Sequence, residues 1–112
     1  MKIYVAGKIT GDLPYHYKYK FGYAASKLRK EGHKVISPVE LNAALEKDLF
    51  DYEDMMTMCF AAIDVCEAVY MLMDWENSPG AKREHEYALK LGKKIMYQAA
   101  ERREPNAQRN KA

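Results

Sequence analysis

The chain has 112 residues, 48% of them apolar and 30% charged, with a formal net charge of +2. That is the length of one domain, enough to bury about two-thirds of the unfolded chain's surface. Charges of both signs are interspersed, leaving no electrostatic footprint for a nucleic-acid polymer, and no apolar run could span a bilayer.

The start, Met1 to Gly7, turns polar too soon for a signal peptide. Cys59 and Cys66 lie seven apart on one helical face, a spacing that forbids a disulfide along that helix. Two lone thiols of this kind fit packing duty in a reducing cytoplasm. No zinc-ligand spacing is present, and neither a metal nor a cofactor is expected.

Ile3 to Ala6 reads as the first strand, followed by the loop Gly7-Lys8-Ile9-Thr10-Gly11. The loop matches neither G-x-x-x-x-G-K-[ST] nor G-x-G-x-x-G, so its two glycines mark either a tight turn or a cover over a ligand. A helix from about Pro14 to Glu31 turns Tyr17, Phe21, Ala24, Ala25 and Leu28 inward and stops at Gly32. Its tyrosines, Tyr15, Tyr17, Tyr19 and Tyr23, either edge the core or stack on a base. His33 to Ser37 is the second strand, ended by Pro38, and a short helical piece is expected around Leu41 to Leu45.

Tyr52 to Val65 forms the next long helix, with Met55, Met56, Cys59, Ala62, Ile63 and Cys66 inward and the methionines read as core filler. Ala68 to Met73 is a buried strand. Asp74 to Glu84 then opens a helix, with Ser78 as N-cap and Pro79 at the first helical position. Gly80 lets a ligand come close, and the helix start favours an anion. This helix ends near Leu91 with Gly92 as its stop, and Lys94 to Tyr97 is the fourth strand. Residues 1–98 thus make one domain, and 99–112 read as a polar, flexible tail.

Strand–helix alternation predicts an α/β fold: a flavodoxin-like three-layer sandwich with a parallel sheet of about four strands in the order 2-1-3-4. Its switch point lies between strands one and three. The Gly7–Gly11 loop and the Asp74–Glu84 stretch therefore flank one crevice.

Glu84 falls in line with Ala81, Ala88 and Leu91, the stripe that should face the sheet. A carboxylate there either reaches water past its alanine neighbours or faces a pocket, since burying it unpaired is costly. Beside an anion-binding helix start, an inward Glu84 suggests covalent chemistry on a phosphorylated small molecule. It could attack an anomeric carbon as retaining glycosidases do. Asp74 is either a second carboxylate for protonating the leaving group or a loop residue capping the turn.

Ile3-Tyr4-Val5-Ala6-Gly7-Lys8-Ile9-Thr10-Gly11 with Ser78-x-Gly80-x-x-x-Glu84 resembles the nucleoside 2-deoxyribosyltransferase-like superfamily, in its small DUF4406-type branch. Gly32-His33-x-Val35-Ile36-x-Pro38 and the run Cys66 to Ala81 strengthen the resemblance, which covers roughly residues 2 to 97. It implies Glu84 as the nucleophile attacking C1′ and Tyr4 as a contact to sugar or nucleophile. It further implies Ser78 and Gly80 as 5′-phosphate contacts, with Gly7, Lys8, Ile9, Thr10 and Gly11 covering the sugar-phosphate. Trp75, beside the Asp74 turn, joins the substrate-binding set.

One departure stands out. Relatives carry an aspartate near the position of Cys59, and a thiol cannot do a carboxylate's work at the leaving base. Either Asp74 substitutes, or catalysis is weak or absent.

Three functions are therefore carried forward. One is cleavage or transfer of the N-glycosidic bond of a (deoxy)nucleoside 5′-monophosphate. Another is a non-catalytic protein that binds or sequesters a nucleotide-like ligand in the same crevice. The third is a relict site on a protein that works by association. The expected partners are a small-molecule nucleoside or nucleotide and further copies of the chain, as a homodimer or larger homo-oligomer, since subunits could wall in the crevice.

Overall fold

A computed structural model describes residues 1–46 and 48–99. The expected tail lies outside the described residues, apart from Ala99. Four parallel strands, β1 (Lys2–Ala6), β2 (Lys34–Ile36), β3 (Ala68–Met71) and β4 (Lys94–Tyr97), form one sheet in the order β2-β1-β3-β4. The expected flavodoxin-like order is the one found. Four helices connect the strands: α1 (Pro14–Lys30), α2 (Pro38–Ala43), α3 (Tyr52–Asp64) and α4 (Pro79–Lys90).

The period-2 alternation of β1 divides the core. Ile3 and Val5 pack with Phe21, Ala24 and Leu28 of α1 on one face. Tyr4 and Ala6 point to the other, where Cys59 and Ile63 of α3 meet Ala81 and Ala88 of α4. Both faces of the central strands are covered, so β1 from Ile3 onward and all of β3 are buried, as a parallel sheet requires. This register turns a tyrosine of the first strand toward the helix that carries Glu84.

Three boundaries differ from the sequence reading. The short helix starts at Pro38, not near Leu41, because the proline that ends β2 also occupies the first turn of α2. β3 stops at Met71; Leu72 stays buried, but Met73 is exposed. Trp75–Asn77 then form a 3₁₀ turn, closed by Asn77 N–H to Asp74 O at 2.9 Å, before Ser78 caps α4.

Candidate active site

Gly7 closes β1 against the end of β3. A Cβ there would lie 2.6 Å from Leu72 Cδ1, so only glycine lets the chain leave the sheet at this point. Gly11 turns the loop back at a φ of +85°, and the Asp12 N–H bonds Ile9 O at 3.1 Å. Across the crevice, Ser78 Oγ accepts the Ala81 N–H at 3.1 Å, and Lys82 N–H reaches Ser78 O at 3.0 Å. Pro79 has no N–H to give, which leaves the Gly80 N–H as a first-turn donor without an intrahelical acceptor.

Between these two features is a cavity of about 390 Å³, within the range of small-molecule sites. Gly7, Ile9 and Thr10 line it from the first loop, Pro38 and Asn42 from α2, and Tyr52, Met55, Met56 and Cys59 from α3. Ser78, Pro79, Gly80, Ala81 and Glu84 complete the wall. Among the described residues no three His, Cys, Asp or Glu side chains gather as metal ligands would.

Glu84 is 6% exposed, and its Oε2 accepts a 2.7 Å hydrogen bond from the Tyr4 hydroxyl. Burial pushes the Glu84 carboxyl up to about 7, opposed by hydrogen bonds from Tyr4 and Cys59 and by the Arg83 charge. Tyr4 is raised well above its ordinary range, first by burial and then by the Glu84 charge, so its hydroxyl stays protonated and donates. Burial also pushes the Cys59 thiol up to about 12, with Glu84 adding to the shift. A thiol so raised is a weak donor at neutral pH and no proton shuttle.

The expected site residues therefore separate. Gly7, Ile9, Thr10, Ser78, Gly80 and Glu84 meet around the cavity, and Tyr4 joins them through its hydrogen bond to Glu84. Lys8 and Gly11 belong to the loop but not to the cavity wall. Trp75 lies elsewhere: its ring stacks on His85 at 4.2 Å between centroids and faces Tyr97 at 6.2 Å. The 3₁₀ turn directs it onto α4 and β4 instead of into the crevice.

Asp74 also stands apart from the cavity wall. Its Oδ1 accepts the Lys8 N–H at 3.2 Å and its Oδ2 the Lys20 ammonium. Both carboxylate oxygens are thus engaged away from the cavity wall.

Several wall residues escaped the sequence reading. Met55 and Met56, taken as core filler, border the cavity, as does Tyr52. Asn42 borders it too, and its buried Oδ1 has no partner among the described residues. An asparagine facing inward from a short helix after β2 was the available signal, obscured by placing that helix three residues late.

The class these features define is an α/β fold with a four-stranded parallel sheet and a buried carboxylate at its switch point. The chain belongs to the DUF4406 family, described as a domain of unknown function, whose model matches residues 1–97. Two solved structures share the fold. A 2-deoxyribosyltransferase from the psychrotolerant bacterium Bacillus psychrosaccharolyticus is 22% identical, with a TM-score of 0.68 over 87% of this chain and 71% of that one. A 2-desoxiribosyltransferase from Leishmania mexicana is 17% identical, with a TM-score of 0.64 over 86% of this chain and 62% of that one. No curated protein matches the sequence. The fold is thus shared with these two 2-deoxyribosyltransferases, as the sequence motifs implied.

Among the described residues no helix is long and apolar enough to cross a membrane.

Proposed function

We propose that this protein cleaves or transfers the N-glycosidic bond of a (deoxy)nucleoside 5′-monophosphate, with Glu84 as the nucleophile. The observation that carries the reading is the buried Glu84 carboxylate on the cavity wall, held by the Tyr4 hydroxyl at 2.7 Å. The 2-deoxyribosyltransferases of the same fold support the reaction class.

In this reading Glu84 Oε attacks C1′ as the C1′–N bond breaks. The electron pair leaves with the base, which takes a proton, and a glycosyl ester forms on Glu84. Water, or a second base, then attacks C1′ and releases the carboxylate. Tyr4 keeps the attacking carboxylate in one rotamer and stabilises it when it leaves again. Glu84 is the one carboxylate among the described residues of the cavity wall, so the proton for the departing base comes from solvent. The Gly80 N–H, the Ser78 hydroxyl and the α4 dipole hold the 5′-phosphate. Asn42 offers its carboxamide to a base edge. The chain works as a homodimer or larger homo-oligomer in the cytoplasm.

Incubation with each deoxynucleoside 5′-monophosphate, followed by chromatography for free base, tests the proposal. Release that the Glu84→Gln variant leaves undiminished rejects the nucleophile.

One observation favours the second reading, a ligand-binding protein without turnover. The Cys59 thiol, pushed up to about 12, stands near where the superfamily resemblance puts an aspartate. Micromolar binding of intact nucleotide with no base released over hours would establish it.

A further inference from the structure

The Asp74 carboxylate is engaged on both oxygens, by two different parts of the chain. Oδ1 accepts the Lys8 N–H at 3.2 Å, in the loop that walls the cavity, and Oδ2 contacts the Lys20 ammonium of α1. That ammonium also pairs with Asp12 Oδ2 at 2.7 Å. Asp12 in turn binds the loop through its own backbone, N–H to Ile9 O at 3.1 Å, and holds His16 Nδ1 through Oδ1 at 2.8 Å. The side chains of Lys20, Asp12 and Asp74 are 16%, 14% and 26% exposed, so water competes weakly for these contacts. Lys20 holds the Asp12 carboxyl well below the usual carboxylate range, with His16 helping.

The loop is therefore pinned on both sides of Ile9 and Thr10, two of its cavity-lining residues. Ahead of Ile9 and Thr10, the Lys8 amide is tied to the end of β3. Behind them, Asp12 is tied to α1. Lys20 joins the two anchors.

We infer that Asp74 is a positioning residue, which with Lys20 latches the Gly7–Gly11 loop in the geometry that receives substrate. It acts on ligand affinity through Ile9 and Thr10 and takes no part in proton transfer. The inference rests on the proposed function only in naming the ligand as a nucleotide.

The test compares Asp74→Ala, Asp74→Asn and Lys20→Met with the unaltered protein by two readouts. The first is amide hydrogen exchange at residues 8–11, which needs no activity. Asp74→Ala should speed exchange at Lys8 by about tenfold, the loss expected when one charge-assisted hydrogen bond is removed. Asp74→Asn, which keeps an acceptor for Lys8, should restore part of the protection. The second readout is steady-state base release from a deoxynucleoside 5′-monophosphate. KM should rise about tenfold in Asp74→Ala, with kcat within about threefold and the pH profile unmoved. Lys20→Met should do the same, and the Asp74→Ala/Lys20→Met double variant should be no worse than the poorer single one, because one latch is broken in both.

Unchanged exchange at residues 8–11 overturns the latch. So does a kcat collapse in Asp74→Ala with loss of the alkaline limb of the pH profile, which would make Asp74 the acid. If the unaltered protein releases no base from any nucleotide, the proposed function fails, while the exchange measurement still decides the latch.

Discussion

The Tyr4 hydroxyl donates to Glu84 Oε2 at 2.7 Å, joining residues eighty positions apart in the chain. Both side chains are buried, so the bond works in a medium where a charge has few other stabilisers. Tyr4→Phe removes that donor without changing the ring's volume. Base release should fall roughly 10- to 100-fold in kcat, the range for one hydrogen bond to a charged group. The acidic limb of the pH profile should move to higher pH, because the Glu84 carboxylate loses a bond that favours its ionised form. A limb that stays in place would separate Tyr4 from the group whose ionisation sets it.

The Glu84 carboxyl, raised to about 7, predicts opposite trends for activity and stability. In the proposed reaction attack at C1′ needs the ionised form, so kcat/KM should climb as pH rises through about 7. Stability runs the other way. The native state keeps its proton above the pH at which the unfolded chain loses it. Stability is therefore complete below the unfolded value near 4.5 and declines as pH rises through about 7, by roughly 3 kcal/mol at the plateau. Glu84→Gln carries no charge at any pH. It should abolish base release yet raise Tm at pH 8 by about 4 °C or more. Thermal melts of both proteins at pH 5 and pH 8 check this; an equal difference at the two values would contradict it.

Cys59 lines the cavity beside Glu84 and is held as a thiol by its burial. Cys59→Asp supplies the carboxyl that the superfamily resemblance places near this position. Faster base release is expected, by about 100-fold, the contribution of a positioned general acid. A second carboxyl near Glu84 should also lower Tm above pH 7 by like-charge repulsion. Rates measured at pH 6, where the new acid keeps part of its protonated form, give the cleanest reading.

At Gly80 the proposed anion contact can be separated from folding. A Cβ there would come 3.1 Å from the Tyr52 hydroxyl and 3.6 Å from Met56 Sδ. Tyr52 is 46% exposed and can yield, and alanine is the better helix former by up to about 1 kcal/mol. Gly80→Ala should therefore leave Tm within a few degrees. The added methyl intrudes on the cavity at the helix start, so the dissociation constant for a 5′-monophosphate should rise about tenfold or more, while that for the free nucleoside barely changes. Calorimetric titration with the two ligands distinguishes these outcomes.

Gly7 behaves differently, because its neighbour is packed. Leu72 Cδ1 at 2.6 Å, with Cβ and Cγ at 3.0 Å, leaves no room for a methyl group. Leu72 is itself 1% exposed. Gly7→Ala should cost about 1–3 kcal/mol in a denaturant titration, the usual range for overpacking. A smaller cost would mean that the β1–β3 junction can open.

The order of elements was legible in the sequence because hydrophobic period and punctuation are local properties. Val5 and Ile3 alternating with Tyr4, the Ser78-Pro79 helix start and the Gly32 and Gly92 stops set strands and helices without reference to distant residues. Alternation then left few topologies for a parallel sheet, and 2-1-3-4 is the one adopted. The place of Glu84 in line with Ala81 and Ala88 left two aims open, toward water or toward a pocket, and all three residues are buried. Leu91, on the same stripe, is exposed at the C-cap, where the helix runs past the sheet face that buries Ala81 and Ala88.

What the tertiary structure decided is which side chains meet across the crevice. Asp74 and Trp75 lie in the very stretch that carries Ser78 and Gly80, yet a 3₁₀ turn sends one to Lys8 and Lys20 and the other onto His85. Asn42 of α2, with Tyr52 and Met56 of α3, reach the cavity from positions outside any motif read in the sequence. A pattern along the chain fixes the face of an element, but not the distance between faces. Distance is set by packing, which depends on every residue in both layers at once.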